Sequence, residues 1–296
     1  MSVRKRGVRH VPPPFVMASG CHAVRGMVNL FKTLEDAARR GADGLMPQAR
    51  EGIRDALCAL QGPEGGFAGQ DGKEDPYYTF FAWLSLRALG VACDRDRLCA
   101  YMAMCRSDAN PVHVSCARIV STVEGREKRV SWTKLVAARL RGDVRDVYGA
   151  FLLMFAMGDA PSWLARLVWW RHRKTFEWGS GERSSTPRLA AELVLARLAG
   201  VGDMKIRRAL EARRCADGGF ASADNVTADL LATAVARFAL GVGQKRESES
   251  GALLKRDLAF VASCWTDDGL FGASSAAGRG DAEYTFYGLL ALGTCR

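Results

Sequence analysis

Long hydrophobic runs are missing from this chain of 296 residues. Stretches such as AFLLMFAMG (Ala150 to Gly158) fall far short of the roughly 20 residues needed to cross a bilayer, so no spanning helix is expected. No short cationic segment followed by an apolar core and a small-residue cleavage site opens the sequence, and the expected location is the cytoplasm. The nine cysteines include no C-x-x-C pair of the kind that binds zinc, which points to reduced, mostly buried thiols. There are only four histidines. Apolar and polar residues hardly ever alternate with the two-residue period of a strand, so the fold is expected to be all-α. No recognisable nucleic-acid module accompanies the net charge of +10, and no nucleic-acid partner is expected.

What is present is apolar and basic. Apolar residues make up 48% of the chain, enough for a sizeable core. Arginine far outnumbers lysine, and most of this charge is expected on solvated helix faces. Residues 1–22 carry RKRGVRH (Arg4 to His10) and a PPP break, and are expected to form a tail ahead of one folded region over 23–296. A second basic block, RLVWWRHRK, interleaves Trp169 and Trp170 with Arg171, His172, Arg173 and Lys174. It suits either an outer helix with two core tryptophans or a peripheral contact with an anionic membrane.

The chain also repeats itself. LQGPEGGFAG (Leu60 to Gly69), RRCADGGFAS (Arg213 to Ser222) and CWTDDGLFGA (Cys264 to Ala273) each place an acid before glycine and an aromatic. The glycine permits a positive φ where the chain must turn sharply, and the aromatic plugs the turn into the core. Each turn is followed by an aspartate with a threonine four residues on: Asp75 and Thr79, Asp229 and Thr233, Asp281 and Thr285. An apolar helix then runs to a Leu-Gly pair, at Leu89 and Gly90, Leu240 and Gly241, Leu292 and Gly293. Aspartate at a helix start satisfies free N–H groups and stabilises by about 0.5 to 2 kcal/mol. Weaker copies over 105–122, 139–158 and 176–200 bring the total to about six helical pairs. Helices as apolar all round as YYTFFAWLSLRALG need burial on every side, which a closed ring supplies and an open superhelix does not.

These residues resemble the repeats of the protein prenyltransferase β-subunit and squalene cyclase (terpenoid cyclase) superfamily, over about Leu45 to Gly293. The resemblance is strong in the first and last units, where LQGPEGGFAG precedes DPYYTFFAWLSL and DDGLFGA precedes DAEYTFYGLLALG. It implies an α/α toroid, a double barrel with a cavity that accepts an isoprenoid or similar apolar chain, and it leaves transferase or cyclase activity open. It also places Asp75, Asp229 and Asp281 together at one rim.

The family's zinc and diphosphate residues are only partly kept. At matching positions stand Lys73, Asp75 and Tyr78, but Gln70 replaces an arginine and Tyr77 a cysteine. The Asp-x-x-His-Thr pattern has Tyr78 or Tyr284 in place of histidine, and Glu283 occupies the cysteine-equivalent position of the last unit. A catalytic zinc needs about three protein ligands, so no metal and no cofactor are expected. Neither the cyclase Asp-x-Asp-Asp motif nor Asp-Asp-x-x-Asp occurs. His113 and His172 match no motif and are expected to be satisfied or exposed polar residues. The candidate proton-handling residues are Asp75, Asp281 and Glu283. Lys73, Tyr77, Tyr78, Asp229, Arg279 and Tyr284 are candidates for ligand binding. Two alternatives stay open: a non-catalytic scaffold that docks on a partner protein or anionic membrane, and a carbohydrate-active barrel with paired carboxylates at its rim. The resemblance also admits an α-subunit-like partner, of which the sequence carries no trace.

Overall fold

The computed structural model describes residues 30–108, 110–126, 165–167, 169–170, 185–223, 226–242 and 251–295. The expected tail, the weak repeat over 139–158, and Arg171, His172 and Arg173 lie outside the described residues. Within them the chain is mostly helical, as the missing strand periodicity required. The helices are α1 (Leu30–Asp43), α2 (Pro47–Ala59), α3 (Pro76–Leu89), α4 (Arg95–Met104), α5 (Pro111–Val123), α6 (Thr186–Ala199), α7 (Met204–Glu211), α8 (Leu230–Gly241), α9 (Gly251–Ser263) and α10 (Ala282–Thr294). One sheet of two short strands, β1 (Phe220–Ala221) and β2 (Ala228–Asp229), pairs Phe220 antiparallel with Asp229.

Burial sorts the helices into two sets. On α3, α6, α8 and α10 the buried residues encircle the helix, including Phe80, Phe81, Trp83 and Leu84 on α3 alone. On α2 and α7 two residues each are buried, Ile53 and Leu57, Ile206 and Leu210, one narrow stripe apiece. The encircled helices pack in the order α3, α10, α8, α6, with α5 beside α3, so the last repeat of the chain lies against the first. Phe81 of α3 meets Phe286 and Tyr287 of α10 at 5.7 and 5.4 Å between ring centroids.

Neighbours in this arc run parallel. His113 near the start of α5 reaches Asp75 at the start of α3, while Glu124 at the end of α5 accepts from Trp83 and Arg87 in the second half of α3. Likewise Thr186 N–H at the start of α6 donates to Ser222, close to the α8 start, and Arg197 near its end reaches the α8 terminus. All the encircled helices therefore point their N-termini to one end of the arc.

The three strong turns superpose bond for bond. Ala68, Ala221 and Gly272 donate to the carbonyls of Leu60, Arg213 and Cys264 at 2.8, 2.9 and 2.9 Å. Gly65, Gly218 and Gly269 hold φ of 102°, 105° and 79°, a region that only glycine enters freely. The repeated threonine explains itself here. Thr79, Thr233 and Thr285, all fully buried, accept the N–H of Phe67, Phe220 and Phe271 at 2.8, 2.9 and 3.1 Å, tying each aromatic plug to its helix. Each bond contributes about 1 kcal/mol and spares a buried donor. The acids within the turns behave differently from one another. All three are exposed; Asp268 accepts from Leu270 and Gly280, but the turns of Glu64 and Asp217 are held instead by Glu74 and Asp257. Those two carboxylates arrive from outside the turn motif and could not be paired with it from the sequence.

The far end of the arc is built from arginines. Arg50 donates to Leu89 O at 3.1 Å, Arg166 to Ala199 O at 2.9 Å, and Arg237 to Thr294 O at 3.1 Å. Arg197 reaches Ala239, Leu240 and Val242 at 2.6, 3.0 and 2.7 Å. Such groups satisfy the last carbonyls of a helix and oppose its negative end. Much of the arginine expected on solvated faces is thus structural.

Helix α1 lies across α10 and α3. Gly90 ends α3 in the left-handed conformation, as the Leu-Gly signal predicts, whereas Gly293 stays inside α10. Gly293 serves contact: a Cβ there would overlap the Ala37 carbonyl of α1, and one on Gly41 would overlap the Leu289 carbonyl. No helix among the described residues is long and apolar enough to cross a membrane.

Candidate functional site

At the N-terminal end of the arc the backbone itself demands anionic partners. Asp75 caps α3 by accepting from Tyr77 and Tyr78 N–H at 2.8 and 3.1 Å. Asp229 caps α8 through Ala232 N–H at 2.8 Å, and Asp281 caps α10 through Tyr284 N–H at 2.8 Å. Capping accounts for one oxygen of each carboxylate. The other oxygens, and the groups around them, make the site.

Two contacts cross the seam between first and last repeats. Gln70, on the turn before α3, donates to Asp281 Oδ2 at 2.9 Å. Tyr77 donates its hydroxyl to Glu283 Oε1 at 2.5 Å. Tyr77 and Glu283 occupy the same place in their respective units, so the pair faces itself across the repeat. Glu283 is 8% exposed and Asp281 9%. Burial is the main cause that pushes the Glu283 carboxyl up to about 7. The Tyr77 bond works against that, and the charges of Asp281 and Asp229 add to it. Burial also raises Asp229, outweighing its bonds to helix N–H groups. Among the described residues no cation pairs with Asp229, Asp281 or Glu283.

The remaining candidates are placed as follows. Tyr77, Tyr78 and Tyr284 are half-buried against the core, with the Tyr77 ring edge-on to Tyr78 at 5.7 Å and to Phe81 at 4.9 Å. Lys73 and Arg279 are exposed on the turns that precede α3 and α10. Arg279 lies near Asp268. Burial raises that carboxyl, but bonds from Thr266, Gly280 and Leu270, and then the Arg279 charge, hold it below the usual range. Of the nine candidates, the structure brings Tyr77, Asp281 and Glu283 into direct or shared contact at the seam, with Asp229 close enough to act on Glu283.

His113 was not among the candidate site residues. Its Nε2 lies 3.5 Å from Asp75 Oδ2 and its Nδ1 2.8 Å from Asp108. It is a satisfied polar residue, as expected, but it stands at the rim. The only signal in the sequence was its place in the first turn after a proline-started helix. Two thiols also lie near the rim carboxylates. Burial first, then Asp75, pushes Cys116 well up, and burial with Asp229 pushes Cys264 up to about 12, so neither is a thiolate at neutral pH. Among the described residues, no three of His, Cys, Asp and Glu sit close enough together to hold a metal ion.

The second basic block divides. Trp169 is 6% exposed and belongs to the core, while Trp170 is 60% exposed and Leu167 49%. Compared with known proteins, the chain matches no family model, no curated protein and no solved structure.

Proposed function

We propose that the chain is a closed α/α toroid of the prenyltransferase and terpenoid cyclase kind, and that it binds an isoprenoid-like apolar chain with the seam between first and last repeats at its mouth. The observation that carries this reading is the Tyr77–Glu283 pair. A buried carboxyl that holds a proton near neutral pH, bonded at 2.5 Å to a phenol and backed by Phe81, Phe286 and Tyr287, is poorly explained by capping, which Asp281 already performs. The packing order of the helices, with the last unit beside the first, supports closure. Leu231 and Val235, one turn apart on α8, are only partly buried among enclosed neighbours, which suits an apolar lining.

In this reading Glu283 is the acid, able to lend its proton to the ligand's reacting atom, and Tyr77 orients it. Burial keeps it protonated, the charges of Asp281 and Asp229 add to that, and Asp75 with His113 completes the rim. The test is thermal unfolding of the purified chain with prenyl alcohols and diphosphates of several lengths. A ligand at a hundred times its Kd stabilises by about 2.7 kcal/mol. No shift at any length with concentrations well above micromolar overturns the proposal.

A second reading, a scaffold that docks on an anionic membrane, draws on the exposure of Trp170 and Leu167 beside a basic block. It requires vesicle binding that grows with anionic lipid and falls with salt. Binding indifferent to both overturns it.

A further inference from the structure

We infer that the chain this mouth accepts is short, about two isoprene units, because the space below the mouth closes within about three helical turns. The inference rests on the apolar-chain reading above and adds the ligand's length. Asp75, Asn110, Ser185, Asp229 and Asp281 are the N-caps of α3, α5, α6, α8 and α10, so counting from the cap puts these helices in one register. Residues of equal count meet across the seam. Two places past the cap Tyr77 bonds Glu283, and six places past it the rings of Phe81 and Tyr287 lie 5.4 Å apart. These two counts, one turn apart, mark the face that each helix turns to the interior.

Burial along that face changes with depth. Two places past the cap, Pro187 on α6 and Leu231 on α8 are half-buried, as Tyr77 is. Six places past it, Phe81 and Tyr287, with Phe286 beside them, fill the side of α3 and α10, while Ala191 on α6 and Val235 on α8 remain half-buried. Below these the opening ends. Helix α6 is buried from Glu192 to Ala196 and α8 from Ala236 to Ala239, which makes Leu195 and Phe238 the floor. The result is a recess between two neighbouring helices, lined by the apolar side chains of Pro187, Ala191, Leu231 and Val235 and walled by aromatic rings on the α10 side. With a rise of 1.5 Å per residue, a floor ten places past the cap lies about 12 Å below the first layer. A hydrocarbon advances about 1.3 Å per bond, so about nine bonds fill that depth. Two isoprene units, with about eight carbons in line, fit; three, with about twelve, leave a unit outside.

The experiment measures, by calorimetry at pH 7 with the whole chain, the affinity of prenyl alcohols of one, two, three and four isoprene units, each below its micelle-forming concentration. The expected result is a gain of roughly tenfold or more from one unit to two, and no gain from two to three or four. Val235→Trp, which fills the recess from α8, should weaken the two-unit alcohol roughly tenfold while the one-unit alcohol changes little. Leu195→Ala, which lowers the floor, should restore a gain of roughly threefold from two units to three. A further tenfold gain at three or four units, a series flat from one unit to two, or a two-unit affinity unmoved in folded Val235→Trp overturns the length inference and leaves the apolar-chain reading standing. Failure of all four alcohols to bind sinks both. The series on the unaltered chain decides the matter even where a variant does not fold.

Discussion

The two ends of the helical arc are built from opposite charges, and they differ in how completely those charges are used. At the C-terminal end Arg50, Arg166, Arg197 and Arg237 each reach carbonyls, with Arg197 spanning three and also pairing with Asp203. Its positive charge is matched by helix dipoles, and the arrangement is what stability alone would build. At the N-terminal end three aspartates cap helices, yet Glu283 is added where no cap is needed, and burial, with the neighbouring carboxylates adding to it, raises its pKa to about 7. Surplus like charge in a buried place is a cost that folding does not require. On the proposed function, the difference separates a structural end from a working one.

The comparison breaks most decisively at Arg197. Arg197→Met leaves three carbonyls and Asp203 without their partner and should cost about 3 kcal/mol in chemical denaturation. A loss below about 1 kcal/mol would mean the arginine end is decoration.

Glu283→Gln tests the other end through pH. The folded carboxyl titrates at about 7, above its ordinary value of 4.5, so the folded state binds the proton more tightly than the unfolded chain. Its contribution is fully present below pH 4.5 and is lost as pH rises through 7, a change of about 3 kcal/mol. The variant should lack this decline, keeping only what Asp229 adds at more acid pH. Parallel stability curves for both proteins between pH 5 and 8 would remove Glu283 from the site.

Thr79→Val sharpens the contrast between frame and site. It should cost about 1 to 2 kcal/mol through the orphaned Phe67 N–H, and ligand affinity should hold. The smallest effect is expected at Asp229→Asn. Asparagine caps as well as aspartate, so stability at pH 7 should change by less than about 0.5 kcal/mol, or rise as repulsion is relieved. A loss as large as that of Arg197→Met would show that both ends are equally structural.

The local grammar of this fold was legible in the sequence, because turn glycine, capping aspartate and threonine act within some twenty residues of one another. Asp75, Asp229 and Asp281 cap as expected, and the turns of the three strong units agree bond for bond. What escaped is what depends on distance along the chain. Glu74 and Asp257 hold turns whose own acids point to solvent, and α1 carries no repeat signature at all. The Tyr77–Glu283 bond links residues 206 apart. Each was a candidate singly, but that they meet depends on the last unit packing beside the first. The arginine caps were hidden for a related reason, since a guanidinium that serves a distant carbonyl has the same local sequence as one that meets water.

The interlocked glycines of α1 and α10 also set a timetable. Arg40 and Gly293, which bond across that contact, are 253 residues apart. At a synthesis rate of about 5 to 20 residues per second, α1 waits roughly 13 to 50 seconds for the surface that buries it. Nascent chains should therefore expose its apolar face throughout elongation, and the full chain should fold slowly when diluted from denaturant.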